Sequence, residues 1–278
     1  MNHKRMNYRT NFLSLTVITF FALSVASCKS GTKNNDPNLL IVGVESGPEY
    51  KIAQAAQKVA KSRFNLDVEL VQFNDYVMPN EALLQKDIDV NAFQSRPYLD
   101  VQAKARGYKF IVQGNTFVYP IAGYSRHIKT LSQLQDESTI IIPNDPTNSG
   151  RSLLLMEKSG LITLREGVGL IPTVNDISSN PKKLKIIEME APQLTRALDD
   201  KNVSIAIINN TFSPAAGLIP SRDGLFVEDA RSPYVNIVVS REDNKNDLKI
   251  KNFVKAYQSV EVENAALSEF KGGAIKGW

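Results

Sequence analysis

The chain has 278 residues, 42% of them hydrophobic and 22% charged, with a formal net charge of +4. This is the balance of one large globular domain or two small ones, and no low-complexity tract or fixed-period repeat interrupts it. A single cysteine excludes an internal disulfide.

In chain order, Lys4, Arg5 and Arg9 come first, then the apolar run NFLSLTVITFFALSVAS, then Cys28. A basic segment, a short apolar segment and small residues make the pattern of an export signal over residues 1–27. The apolar part falls short of the roughly 20 residues that a transmembrane helix needs. Cys28 directly follows Val25, Ala26 and Ser27, which resembles a bacterial lipobox: the signal is cut before the cysteine and the thiol is lipidated. Such an anchor holds the folded part on a bacterial membrane, outside the cytoplasm, without spanning it. Residues 1–27 carry three basic and no acidic groups, so the charge falls from +4 to +1 when they are removed. With no basic stripe interleaved with aromatics, nucleic-acid binding is set aside. Residues 28–38, Cys28 with the polar KSGTKNNDPN, are expected to form a flexible tether.

From Leu39 the pattern alternates buried strands (LLIVGVES, DVELVQF, DVNAFQ) with helices (EYKIAQAAQKVAKSRF, PNEALLQKD, RPYLDVQAKARG). Ile52, Ala55, Ala56 and Val59 make one helical stripe, Pro79 suits a first turn, and Gly107 ends the third helix. The segment KFIVQGNTFVYPIAGYS has two extended runs with no helix between them, as expected where the chain leaves one unit for another. Then come a short helix (LSQLQD), a strand (STIIIPN), a polar loop from Asn144 to Gly150, and a Leu-rich helix opened by Arg151. A strand (LKIIEME), a helix (PQLTRALDD) and two strands (VSIAIINN, SPYVNIVVSRED) follow, and residues 247–270 read as helical. Strand–helix alternation builds mainly parallel sheets flanked by helices. The expected fold class is α/β, with two such units, the last strand and helices returning to the first. Ligands in such folds bind at the carboxyl ends of strands and in clefts between domains.

The chemistry that the sequence lacks is informative. His127 is the only histidine after the signal, and Cys28 is committed to the anchor, which removes Cys–His catalysis and His-rich metal sites. No nucleophile elbow, phosphate-binding loop or dinucleotide fingerprint is complete. No enzyme activity, cofactor or metal is expected.

What remains points to an amino acid. A helix N-terminus offers free N–H groups and partial positive charge, Gly150 allows close approach to the backbone, and Arg151 supplies a planar fork for a carboxylate. The same stretch equally suits a turn with a surface arginine paired to a nearby aspartate. Asn209 and Asn210 end one strand and Asn236 interrupts another. A carboxamide both donates and accepts, so it suits a zwitterion, although Asn209 and Asn210 also read as turn or cap amides. Tyr76, Phe93, Tyr98, Phe117 and Tyr119 gather near strand ends, where they line an apolar slot or pack the core.

The stretches VELVQFNDYVMPNEALLQKDIDVNAFQ, GNTFVYPIAGYS, PNDPTNSGRSLLL, EAPQLTRALDD, SPYVNIVVSREDNK and FKGGAIKGW closely resemble the MetQ/NlpA family of methionine-binding lipoproteins. The resemblance spans nearly all of residues 39–278. It implies a two-lobed periplasmic-binding-protein fold with the ligand in the interdomain cleft, lobe 1 from residues 39–122 and 230–278 and lobe 2 from residues 123–229. It implies a monomeric substrate-binding component that serves an ABC permease and ATPase and takes methionine, L or D, or a close derivative. By the same resemblance Arg151 holds the ligand carboxylate, Asn236 and Asn209 grip the polar end, and Tyr76, Phe93 and Tyr98 line the thioether slot. Asn148 and Gly150 are counted among the ligand contacts. The family usually reads AFQHKPYL where this chain reads AFQSRPYL, so Ser95 replaces a histidine of the pocket-lining segment and is expected to enlarge the slot or admit water. A Met-containing peptide, or an adhesion or assembly role for a surface lipoprotein, is the alternative reading.

Overall fold

The computed structural model describes residues 36–278; the expected export signal, Cys28 and most of the tether lie outside the described residues. The last tether residues form a turn and not a loose end. The Asp36 carboxylate accepts from Asn38 N at 2.8 Å, and its carbonyl accepts from Leu39 N at 3.1 Å.

The first lobe opens with three strand–helix units: β1 (Leu39–Glu45), α1 (Pro48–Phe64), β2 (Asp67–Phe73), α2 (Met78–Gln85), β3 (Val90–Ser95) and α3 (Arg96–Arg106), followed by β4 (Phe110–Val118). Pro48 starts α1 and Asn65 ends it with φ near 50°; Ile52, Ala53, Ala56, Val59 and Ala60 form its buried stripe. Strand β3 is buried at every position, as both faces of the sheet are covered. On one face Leu40, Val42 and Val44 pack against α1 and the C-terminal helices; on the other, Leu83, Ile88 and Leu99 pack under Ile237 and Val239.

The second lobe contains β5 (Ala122–Tyr124), β6 (Thr139–Pro143), α4 (Pro146–Lys158), β7 (Thr163–Leu164), β8 (Ile177–Ser179), β9 (Lys185–Met189), α5 (Leu194–Ala197), β10 (Val203–Ile208), α6 (Pro220–Asp223) and β11 (Phe226–Val227). The chain then returns to the first lobe through β12 (Val235–Arg241), α7 (Leu248–Tyr257), α8 (Val260–Glu269) and β13 (Ile275–Lys276). The first sheet has the order β13-β4-β12-β3-β1-β2 and the second β11-β5-β10-β6-β9, with β7 and β8 as a separate ribbon. Each has a parallel core, β2-β1-β3 and β10-β6-β9, extended by antiparallel strands. Two connectors join the sheets, residues 119–121 between β4 and β5 and residues 228–234 between β11 and β12. Among the described residues no helix is long and apolar enough to cross a membrane.

Two local expectations need correction. Helix α4 begins at Pro146, so Asn144–Gly150 is mostly helix and Arg151 sits in its second turn. Asp145 caps it, its carboxylate accepting from Asn148 N at 2.9 Å, and Pro146 takes the first position. An N-cap aspartate followed by proline is a start signal that outweighs the turn preference of the residues after it. The helical stretch 247–270 is broken in two, because Ser259 caps α8 by accepting from Val262 N at 3.4 Å.

Candidate functional site

A narrow cleft lies between the lobes at the carboxyl ends of their strands. The first lobe lines it with Tyr76, Phe93, Gln94, Ser95, Tyr98, Tyr119 and Asn236, the second with Asn148, Arg151 and residues 209–211. Clefts at this place in such folds take small molecules.

The apolar end is a group of rings. Tyr76, from the β2–α2 connection, lies 6.1 Å from both Phe93 at the end of β3 and Tyr98 in the first turn of α3, and Phe93 and Tyr98 are 6.0 Å apart. The Tyr98 hydroxyl donates to Tyr76 O at 2.8 Å and fixes the connection. Phe212 of the second lobe closes on Tyr76 at 5.2 Å. Burial pushes the Tyr76 and Tyr98 phenols well above their ordinary values, so this end stays neutral. Ser95 caps α3, its hydroxyl accepting from Tyr98 N at 3.4 Å. Beside it Gln94 is locked in a buried amide net, giving an N–H to Asn80 Oδ1 at 2.7 Å and another to Asn91 Oδ1 at 3.0 Å.

The polar end is organised by Arg151, which is 6% exposed. Its Nε donates to Glu228 Oε1 at 3.0 Å, and its Nη2 donates to Glu228 Oε2 and, at 3.0 Å, to Tyr119 O. The Tyr234 ring lies under the guanidinium, 4.5 Å from Cζ. The arginine is thus fastened to both interlobe connectors, and its Nη1 edge has no hydrogen-bond partner among the described residues. It is a buried cation with a carboxylate partner, not the surface arginine that a bare turn would carry. The Arg151–Glu228 pair is formally neutral, which suits a ligand of zero net charge.

Asp145, Asn148 and Asn209 form a relay. Asn148 donates its N–H and its side-chain amide to Asp145, each at 2.9 Å, and accepts from Asn209 Nδ2 at 2.8 Å. Asn209 Oδ1 is left buried with no hydrogen-bond partner among the described residues. Such an acceptor costs free energy unless a ligand donor meets it. Asn236 gives its N–H to Phe93 O at 2.8 Å and keeps its carbonyl oxygen as another acceptor. Arg151 Nη1 can donate to an anion, the Asn209 and Asn236 oxygens can accept from a cation, and the rings offer an apolar surface beside them.

The structure brings Tyr76, Phe93, Ser95, Tyr98, Asn148, Arg151, Asn209 and Asn236 to one cavity. Gly150 does not line it. A Cβ there would stand 2.7 Å from Ile171 Cα, so this glycine makes room for the chain near Ile171 and not for a ligand. Phe117 also lies away, in the core against Trp278 at 5.0 Å. Sequence reasoning missed Gln94, Thr211, Glu228 and Tyr234. Gln94 had a signal, as a polar residue inside the strand VNAFQS, but nothing near Glu228 marks it as a partner of Arg151 across 77 positions.

A two-lobed α/β body with a cleft between its sheets is the architecture of a substrate-binding protein. Residues 40–278 match the NlpA lipoprotein family, and the chain belongs to it. It is 60% identical over 257 residues to the D-methionine-binding lipoprotein MetQ of Escherichia coli K12, covering 92% of this chain and 94% of that protein. A solved structure of the methionine-binding protein MetQ is 62% identical, with a TM-score of 0.86 over 87% of this chain and 99% of the other. A nutrient-binding protein from Burkholderia cenocepacia, solved bound to methionine, is 43% identical, with a TM-score of 0.83 over 86% of this chain and all of the other.

Proposed function

We propose that this chain is the lipid-anchored substrate-binding component of an ABC importer and that it captures methionine, or a close derivative, between its lobes. The observation that carries this reading is the conjunction of a half-committed guanidinium, a buried amide oxygen without a donor, and a neutral cluster of rings in one cavity. Arg151 takes the ligand carboxylate through Nη1. Asn209 and Asn236 receive the ammonium, and Asn148 holds Asn209 in place. Tyr76, Phe93 and Tyr98 sort side chains by shape and by sulfur–ring contact, and Ser95 leaves room beside them. Residues 39–122 with 230–278 move as one lobe and 123–229 as the other, hinging at the connectors that Arg151 joins. The closed form is delivered to a membrane permease with its ATPase, and no chemical step is needed. The names of the relatives support the ligand, and the family supports the anchor at Cys28.

Native mass spectrometry of the gently purified protein, with the released molecule identified, tests the ligand. A methionine adduct that is lost in Arg151→Ala is expected. An adduct of another chemistry, or none together with no heat on titration with either methionine enantiomer, defeats the assignment. Cys28→Ser should move the protein from membranes to the soluble fraction, and persistent membrane association of that variant defeats the anchor.

A further inference from the structure

Next to the cavity two carboxyl groups are buried with no cation beside them among the described residues. Glu45 ends β1 and Glu49 lies in the first turn of α1; they are 0% and 1% exposed. Neither Glu45 oxygen has a hydrogen-bond partner among the described residues. Glu49 Oε1 accepts from Thr211 Oγ1 at 2.6 Å. Thr211 belongs to the second lobe and directly follows Asn209 and Asn210, which line the cavity. The bond therefore crosses the seam between the lobes, beside the Tyr76–Phe212 ring contact.

The titratable groups that face Glu49 are Glu45 from β1, Tyr76 from the β2–α2 connection, Tyr119 from the end of β4 and Tyr257 from α7; Asp75 faces Glu45. None is a cation. Lys51, on the same helix, turns outward to Glu269 at 2.9 Å. An ionised carboxylate in such a place is costly, and two neighbouring ones cost more. Burial holds Glu45 well above the usual carboxylate range, helped by the Glu49 and Asp75 charges. Burial pushes Glu49 up to about 8, with the Thr211 hydroxyl pulling the other way.

We propose that Glu49 is a proton-binding site linked to ligand capture: separating the lobes takes Thr211 and Phe212 away from the start of α1 and gives Glu49 to water, where a carboxyl ionises, and closure of the lobes over the ligand takes up a proton from solution. This rests on the substrate-binding reading above. The proton is a second ligand of the closed form, recognised by a buried carboxyl with no counter-charge among the described residues. The site is raised in the closed form, so its contribution is complete below the ordinary carboxyl value and is lost as pH rises through about 8. Ligand affinity therefore falls with rising pH across that window, at most about tenfold per pH unit for one proton.

The test uses the full chain in detergent with methionine as probe. Calorimetry at about pH 7 in buffers of different ionisation enthalpy reads the protons exchanged, and titrations from about pH 5 to about pH 8.5 read the affinity. Uptake approaching one proton is expected, with Kd weakening well over tenfold between about pH 5.5 and about pH 7.5. Glu49→Gln keeps the shape but cannot titrate, and it should abolish both effects. Binding with no proton exchange and a flat Kd overturns the proposal, as does uptake that persists unchanged in Glu49→Gln. A protein that binds no methionine at any pH sinks the transport reading and leaves infrared spectroscopy to decide this one. A protonated-carboxyl band at neutral pH that Glu49→Gln diminishes supports the site, and no such band overturns it.

Discussion

On the first-lobe wall of the cavity, Tyr76, Phe93 and Tyr98 stand 6.0–6.1 Å from one another, each touching the other two. On the second-lobe wall the groups form a series: Asp145 holds Asn148, which holds Asn209, while Glu228 and Tyr119 hold Arg151. The first wall is redundant, since dispersion is shared over many small contacts and the loss of one ring leaves two. The second is not, since each polar group has one role and a missing partner leaves a buried donor or acceptor unmet. The comparison implies that the second wall sets affinity and the first sets selectivity among ligands.

Arg151 is the place to break that comparison hardest. Arg151→Ala should weaken methionine binding by about 2–5 kcal/mol, the cost of removing one partner from a buried charged contact. It should also lower the melting temperature, because Glu228, 13% exposed, loses its cation. Titration calorimetry beside thermal denaturation separates the two effects, and unchanged affinity would mean that Arg151 serves only the connectors. Asn209→Ala comes next, at about 1–3 kcal/mol, since it removes the buried acceptor and strands Asn148 Oδ1. An effect on binding no larger than that of Phe93→Leu would contradict the ranking of the walls.

How much of this was visible in the sequence follows the range of the interactions. Strands β1, β2 and β3 and helices α1 and α3 were legible because periodicity and Gly107 are local signals. The start of α4 was misplaced because Asp145-Pro146 competes with a run of turn-forming residues, and only the observed Asp145–Asn148 bond decides between them. Asn209, Asn236 and Arg151 stood out as polar residues at strand or helix ends. Glu228 did not, because its role depends on a connector folding back over 77 positions. Thr211 and Glu49 meet across 162 positions and escaped for the same reason.

The first wall predicts a smaller effect that is read by changing the ligand. Replacing methionine with norleucine keeps the length and removes the sulfur. Sulfur–ring contact is worth about 0.3–1.5 kcal/mol, so affinity should fall by at most about tenfold. Equal affinity for the two would leave shape alone to account for the slot.

Ser95 sharpens the comparison most finely, because it stands on the first wall and does a structural task as well. Its hydroxyl caps α3, and the same side chain is 8% exposed at the cavity. Ser95→His, which restores the residue usual in the resembling family, changes both roles. Loss of the cap should cost about 0.5–2 kcal/mol of stability, read as a lower melting temperature. The ring should narrow the slot, so methionine binding should change by less than about 1.4 kcal/mol, a factor of ten, while a bulkier methionine derivative should lose more. Ser95→Thr keeps a capping hydroxyl and adds only a methyl group, so it separates the two roles: stability close to the parent, with selectivity moved slightly in the same direction. If Ser95→His weakened methionine and its bulkier derivative alike, Ser95 would be acting through the placement of α3 and Tyr98, and the width of the slot would be set by the three rings alone.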